Sequence, residues 1–149
     1  KEVDGLGLLN IETTFEKEKT TCQVEGDLVR SSEFGVKSSE NTKLTGYEIH
    51  MGTSRGDIGL FKLRRLSSDS SLILDGSING NCWGTYIHGI FENDSFRRGI
   101  INSLREQREL PPVDSTIKYS EMKERAIDNL ADIVKQNLDM NFINRIIGL

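Results

Sequence analysis

The amino-acid sequence predicts a protein with both α and β structure, in which the strands come first and the helices follow. Up to about residue 91, short segments alternate apolar and polar side chains, which is the pattern of half-buried strands. From residue 94 onward, apolar side chains recur at helical spacing instead. No helical segment separates the strands, as a doubly wound parallel sheet would require. The order therefore predicts either an antiparallel sheet followed by helices or the back part of a larger α/β domain.

Five segments carry the strand pattern, and they are 20–29, 43–52, 58–66, 71–77 and 81–89. Alternation along 43–52 places Glu48 and His50 on one face and Tyr47 on the other. Alternation along 81–89 places every second residue, ending at His88, on one shared face.

Two segments that contain glycine predict turns. The sequence "DGLGLL" at 4–9 lacks the Gly-Lys-Ser/Thr of a phosphate-binding loop and the third glycine of a dinucleotide-binding motif. We therefore interpret it as a turn that enters a buried strand. The Asp-Gly pair at 75–76 predicts a turn near the end of the fourth strand.

Three helices are predicted after the strands. Asp94 and Ser95 are residue types that cap a helix, and the proline-containing segment 110–115 ends it. A long helix then begins near Ser120, and Asp139 can cap a short final helix. The apolar residues of the first two helices predict core contacts, and they are Phe96, Ile100, Ile101, Leu104, Met122, Ala126, Ile127, Leu130, Ile133, Val134 and Leu138. One domain over 1–149 is the simplest organisation.

Composition excludes several classes of function. The net charge of -4 argues against a nucleic-acid or membrane-surface partner, since both need a basic face. No apolar run approaches the roughly 20 residues of a membrane span. No signal peptide is visible, although the chain begins at Lys1 and so suggests a fragment or a processed product. Cys22 and Cys82 lack metal-ligand spacing and indicate a reducing, cytoplasmic compartment.

The only two histidines are the candidate functional residues. His50 shares a face with Glu48, so the carboxylate can orient the imidazole, but a structural polar pair at a sheet edge explains the spacing as well. His88 lies at a predicted strand end, followed by Gly89, where a general base or a structural histidine would both fit. Spacing alone leaves these interpretations open.

No residue of the chain has the sequence context of a nucleophile. Cys22 lies within a predicted strand, and Cys82 precedes Trp83 with no helix N-terminus after it to activate the thiol. The patterns Gly-x-Ser-x-Gly and Gly-x-Cys-x-Gly occur at 52–56 and 80–84, but no predicted helix follows either of them directly, so neither is a strand-to-helix elbow.

Three motifs occur together in a recognisable order. "GLGLLNIETTF" at 5–15, "GYEIHMG" at 46–52 and "GTYIHGIFEND" at 84–94 have the order and rough spacing found in the cobyric acid synthase family, CobQ/CbiP. The chain resembles the C-terminal glutamine amidotransferase domain of this family from about residue 4 to residue 98, and the helical region after it is compatible.

The resemblance implies a class I amidotransferase domain with an α/β fold. In this family a cysteine on a strand-to-helix elbow attacks the side-chain amide of glutamine, and a histidine activates the cysteine. The ammonia passes to a synthetase domain that uses ATP and Mg²⁺ to amidate adenosylcobyrinic acid a,c-diamide. By its motif, the resemblance assigns the catalytic histidine to His88, with Glu48 and His50 as supporting or orienting candidates. No cofactor or metal is implied for this chain itself.

Two departures from the family pattern matter. The cysteine elbow is absent, so the resemblance places this chain in the latter part of the amidotransferase domain and predicts that it is inactive alone. Many class I enzymes have a glutamate two residues after the histidine, where this chain has Ile90, so a Cys–His dyad is expected. Glu48 can orient His88 only if strand 43–52 adjoins strand 81–89.

The partners implied are glutamine, the remaining amidotransferase and synthetase portions, and a second copy of the chain through an exposed apolar surface. Other members of the same branch remain alternatives, namely cobyrinic acid a,c-diamide synthase and the subunit that amidates lipid II. A binding or assembly module without catalysis is the alternative from another class.

Overall fold

A computed structural model describes residues 2–34, 43–67, 71–114 and 117–148. The chain divides into two compact units, residues 1–115 and 116–149, and each is described by itself. The single domain over 1–149 stays a prediction.

The first unit is built mainly from β-strands. They are β1 (Ile11–Thr14), β2 (Thr20–Leu28), β3 (Lys43–His50), β4 (Thr53–Gly56), β5 (Phe61–Arg65), β6 (Leu72–Asp75), β7 (Ser77–Asn79), β8 (Cys82–Gly84) and β9 (Ile87–His88). Short 3₁₀ helices occupy Ser31–Phe34 and Ile90–Glu92, and helix α1 occupies Asp94–Glu106. The second unit contains α2 (Tyr119–Asn137) and α3 (Met140–Ile147).

A five-stranded sheet in the order β6-β5-β2-β3-β9 organises the first unit, and every neighbouring pair is antiparallel. Strands β1 and β4 form one separate two-stranded ribbon, and β7 and β8 form another. The mixed fold with an antiparallel, strand-rich first part and helices after it is confirmed.

The two faces of the five-stranded sheet differ in burial. We call the face that carries Val24, Leu44 and Leu63 the buried face, because these residues are almost inaccessible to solvent. It packs against Phe96 of α1, whose ring meets the ring of Phe61 edge-on at 6.0 Å between centroids. We call the opposite face, which carries Tyr47 and His88, the open face.

The alternation predicted for β3 is confirmed, but the polar side of the pattern faces inward. Glu48 is buried with Leu44, whereas Thr45 and Tyr47 are exposed. A charged side chain can occupy a core position only when other groups satisfy it, and the partners of Glu48 are described below.

Segment 81–89 is not one strand, which corrects the prediction. Strand β8 pairs with β7, and β9 pairs with β3 in the five-stranded sheet, so the chain changes sheets at Thr85 and Tyr86. Strand β1 is also more exposed than the buried strand predicted after residues 4–9, because β4 is its one pairing partner among the described strands.

The start of α1 is fixed by Asn93 rather than by Asp94 or Ser95. Asn93 is the N-cap residue, yet its side chain bonds to β3. Its Oδ1 accepts from the backbone N–H of Thr45 at 2.9 Å, and its Nδ2 donates to the Thr45 carbonyl at 2.8 Å. These two hydrogen bonds connect the N-terminus of α1 to β3, the strand that pairs with β9.

The second unit leaves its apolar side chains uncovered. No residue of α2 or α3 is buried, and Met122 and Leu130 are each more than half exposed. The predicted core contacts are correct for Phe96 and Ile100, whereas Ile101 and Leu104 are exposed and the second unit by itself buries none of the α2 residues. The cap predicted at Asp139 is confirmed, since its carboxylate accepts from the Phe142 N–H at 3.0 Å.

Within the described part of the chain, the helices fall short of the length and apolar character needed to cross a bilayer.

Candidate active site

His88 ends the edge strand β9 on the open face of the sheet. Its backbone pairs with Tyr47 of β3, and residues directly opposite in an antiparallel pair share a face. Both side chains are exposed, with Tyr47 at 50% of its full accessibility. No side-chain hydrogen bond or ion pair of His88 is found with any described residue. The imidazole is therefore accessible to a group that approaches this face.

The backbone beside His88 requires glycine at two positions. Gly89 has a φ of 77°, a left-handed conformation that strains residues with a side chain. Gly46 lies across from β9, and a Cβ there would be 2.6 Å from the carbonyl oxygen of His88 and 2.5 Å from Ile87. Gly46 therefore lets β9 approach β3, a role that the sequence alone did not suggest.

The residue two positions after His88 points away from the open face. Ile90 begins a 3₁₀ helix that follows the turn at Gly89, and its side chain is only 5% exposed within the hydrophobic core. The position that carries a glutamate in many class I enzymes is thus a packing position here.

Glu48 lies on the buried face, where Arg65 and His50 are its side-chain partners. The Arg65 guanidinium binds both oxygens of the Glu48 carboxylate. Its Nε donates to Oε2 at 2.6 Å, and its Nη2 donates to Oε1 at 2.7 Å. His50 Nε2 lies 2.8 Å from Oε1. Burial raises the pKa of Glu48, but the bonds from Arg65 and His50 outweigh it and hold the pKa below its ordinary value. Glu48 therefore favours the ionised form, and both of its oxygens accept hydrogen bonds.

His50 is held on every side. Nδ1 lies 2.7 Å from the Gly52 carbonyl oxygen, while Nε2 faces the Glu48 carboxylate. Both neighbours only accept hydrogen bonds, so the two bonds form together when both ring nitrogens carry a proton. The ring also stacks against Tyr86, with centroids 4.5 Å apart. Glu48 orients His50 as the sequence suggested, although β3 is an interior strand and not a sheet edge.

The structure brings together two of the three predicted site residues. Strand 43–50 does adjoin β9, as an orienting role for Glu48 would need. However, Glu48 is opposite Ile87 and Tyr47 is opposite His88, so the Glu48 and His88 side chains lie on opposite faces. Direct orientation of His88 by Glu48 is therefore excluded by the register.

A third polar group, missed from the sequence, holds the segment that leads to His88. Asp75 is buried, and its carboxylate accepts from the hydroxyl of Thr85 and from the backbone N–H of Tyr86. Burial, reinforced by the charge of Glu48, raises the pKa of Asp75, although these hydrogen bonds oppose the rise. In the sequence, Asp75 stands out only through the Asp-Gly pair, which predicts a turn and gives no indication of these hydrogen bonds.

A cavity of about 620 Å³ opens between these buried-face groups and the β1–β4 ribbon. Its lining includes Glu48, His50, Arg65, Asp75 and Tyr86, but His88 does not line it. The candidate site residues are thus divided, with Glu48 and His50 at the cavity and His88 on the open face.

The edge strand of the five-stranded antiparallel sheet ends in the exposed His88, which is followed by Gly89 in the left-handed conformation. Residues 1–96 match the family described as the CobB/CobQ-like glutamine amidotransferase domain. The chain belongs to this family.

The similar curated proteins agree with one another. The chain is 48% identical to "Cobyric acid synthase" of Thermodesulfovibrio yellowstonii, over 100% of this chain and 28% of that protein. It is 46% identical to "Cobyric acid synthase" of Clostridium botulinum strain Langeland, over 99% of this chain and 29% of that protein. The protein of the same name from a Thermoanaerobacter species is 42% identical, over 97% of this chain and 30% of that protein. The resemblance to the cobyric acid synthase family is confirmed, and the chain spans less than a third of the length of these relatives.

Proposed function

We propose that this chain supplies the histidine of a glutaminase site in a longer enzyme of the cobyric acid synthase type. Such an enzyme hydrolyses glutamine and uses the ammonia, with ATP, to amidate adenosylcobyrinic acid a,c-diamide in cobalamin biosynthesis. The observation that carries the proposal is the exposed imidazole of His88 at the end of β9, within the region that matches the amidotransferase family.

In this proposal His88 is the general base and acid. It takes the proton from a cysteine thiol, and the thiolate attacks the carbonyl carbon of the glutamine side-chain amide. The imidazolium then gives the proton to the departing ammonia, which leaves a glutamyl thioester on the cysteine. Water hydrolyses the thioester, with His88 again accepting the proton, and glutamate and the free thiol are released.

The nucleophilic cysteine belongs to a part of the enzyme outside this chain. Cys22 is opposite Glu48 in the β2–β3 register, so it lies on the buried side of the sheet, away from His88. Cys82 lies in β8, which pairs with β7 and not with the strands around His88. Neither thiol is on a strand-to-helix turn, and we therefore propose that residues 1–149 alone do not hydrolyse glutamine.

The other expectations follow from the same assignment. We assign ATP and Mg²⁺ to the synthetase domain, glutamine to the open face, and the enzyme to the cytoplasm. The open face also carries Leu72 and Leu74, each more than half exposed, which fits contact with the rest of the enzyme or with a second copy. The names of the similar proteins favour this substrate over that of the related diamide synthase or the lipid II amidating subunit.

Replacement of His88 in the longer enzyme tests the proposal. In His88→Asn, we expect amidation driven by glutamine to fall by about 100-fold or more, the usual contribution of a general base. Amidation driven by added ammonium should continue, because that route needs no glutamine hydrolysis. An equal loss of both activities would mean that His88 is structural, and no loss of either would support a binding or assembly module.

A further inference from the structure

We propose that Asp75 and Thr85 are positioning residues for His88, which act by fixing the break between β8 and β9. This inference rests on the proposed function, in which His88 is the general base. It assigns the orienting role to hydrogen bonds along the backbone that leads to His88, since the register excludes Glu48.

The first step of the argument is the change of sheet. Strand β8 ends at Gly84 and belongs to a ribbon with β7, while β9 begins at Ile87 and belongs to the five-stranded sheet. Thr85 and Tyr86 lie between the two sheets, where the Tyr86 N–H lacks a ladder partner and needs another acceptor. The direction of the chain here decides where His88, two residues later, is placed.

Asp75 supplies that acceptor and fixes the direction. The Tyr86 N–H donates to Oδ2 of Asp75 at 3.2 Å and to Oδ1 at 3.3 Å. The Thr85 hydroxyl donates to Oδ2, and the same Oγ1 accepts from the backbone N–H of Ile87 at 3.1 Å. One carboxylate and one hydroxyl therefore hold three consecutive residues, up to the residue before His88.

The remaining contacts of Tyr86 also restrain the segment between β8 and β9. Its ring stacks on His50, and its hydroxyl lies 2.9 Å from the hydroxyl of Ser54. Because Glu48 fixes His50, the buried network holds the Tyr86 side chain while Asp75 holds its backbone. Misplacement of a catalytic base by about 1 Å can lower the reaction rate by as much as 100-fold. The segment between β8 and β9 can therefore affect catalysis without touching substrate.

Two substitutions of Thr85 in the longer enzyme test this role. Thr85→Val keeps the shape but removes both hydrogen bonds of the hydroxyl, whereas Thr85→Ser keeps them and serves as the matched control. In Thr85→Val we expect kcat for glutamine-driven amidation to fall about 10- to 100-fold with little change in KM, because the base and not the substrate is misplaced. Thr85→Ser should restore most of the loss, and the ammonium-driven rate should be unchanged in both.

A double-mutant cycle with His88→Asn separates positioning from a general loss of structure. If Thr85 acts through His88, Thr85→Val causes no further loss in the His88→Asn background. Additive losses, or a Thr85→Val enzyme as active as the wild type beside an inactive His88→Asn, would overturn the positioning role and leave the proposed function intact. If His88→Asn itself does not separate the two activities, the proposed function fails and the positioning role fails with it.

Discussion

The two histidines of this chain lie one strand apart, on opposite faces of the same sheet, and their surroundings differ completely. His50 is enclosed by the Glu48 carboxylate, the Gly52 carbonyl and the Tyr86 ring. His88 is exposed at the end of β9, and none of the described residues hydrogen-bonds to its ring. His50 is part of the buried hydrogen-bond network, whereas the imidazole of His88 is exposed to solvent. Residue type alone does not distinguish them, but the face of the sheet does.

The largest difference in stability should appear between apolar side chains on the two faces. Phe96 is fully buried and packs against three aromatic rings, so Phe96→Ala should lower the free energy of unfolding by about 3–5 kcal/mol. Leu72 on the open face is 65% exposed, and Leu72→Ala should cost less than about 1 kcal/mol. Urea unfolding of the 149-residue chain measures both values. Similar losses would contradict the assignment of the two faces.

The buried ion pair should give the next largest effect, and it should depend on pH. Glu48→Gln removes the charge that Arg65 and His50 bind and should cost about 1.5–3 kcal/mol at neutral pH. Because folding lowers the pKa of Glu48, its contribution is present above the ordinary carboxyl range and is lost as pH falls through the lowered pKa.

The difference in unfolding free energy between wild type and Glu48→Gln should therefore shrink as the solution is acidified below about pH 4.3, the ordinary pKa of glutamate. Asp75 contributes with the opposite sign, because folding raises its pKa and its burial costs stability once it ionises. An Asp75→Asn variant, measured over the same pH range, separates the two carboxyl groups. A Glu48→Gln difference that does not change with pH would show that Glu48 is not held ionised by its partners.

Replacement of Gly46 on the buried face should have a smaller effect on stability, and it should also move His88 on the open face. The new Cβ of Gly46→Ala would collide with the backbone of β9, so the strand has to move, at about 1–3 kcal/mol for an overpacked contact. Glutamine-driven activity of the longer enzyme should fall more than ammonium-driven activity, because His88 moves with β9. Gly5→Ala is the matched control, since a Cβ there meets nothing within 4 Å. Equal behaviour of the two variants would show that β9 does not depend on close approach to β3.

Local patterns in the sequence predicted the regular parts of the fold. Alternation located β2 and β3 within a residue or two, and the cap at Asp139 located α3. Strand β4 was missed and the exposure of β1 was not predicted, because both strands are short and alternation carries little information there. The break at Thr85 was missed because Asp75, whose carboxylate bonds to Thr85 and Tyr86, lies about ten residues earlier in the sequence and in another strand.

Prediction of the candidate site was also limited by contacts between strands that are distant in the sequence. His88 was correctly predicted to lie at a strand end, and Glu48 was correctly paired with His50. Whether Glu48 also reaches His88 depends on the register between β3 and β9, and a one-residue difference reverses the answer. Burial of Glu48 was likewise hidden, because Arg65, which satisfies it, comes from a strand two positions away in the sheet.

The most direct test of the contrast between the two histidines is the ratio of glutamine-driven to ammonium-driven amidation in His88→Asn and His50→Asn, measured side by side in the longer enzyme. The ratio should fall by about 100-fold or more in His88→Asn, since that variant loses a general base. In His50→Asn the ratio should fall by less than about 10-fold, because the Tyr86 ring loses a packing partner while Asp75 still holds the Tyr86 backbone. A ratio that collapses in His50→Asn and survives in His88→Asn would contradict the assignment of chemistry to the open face.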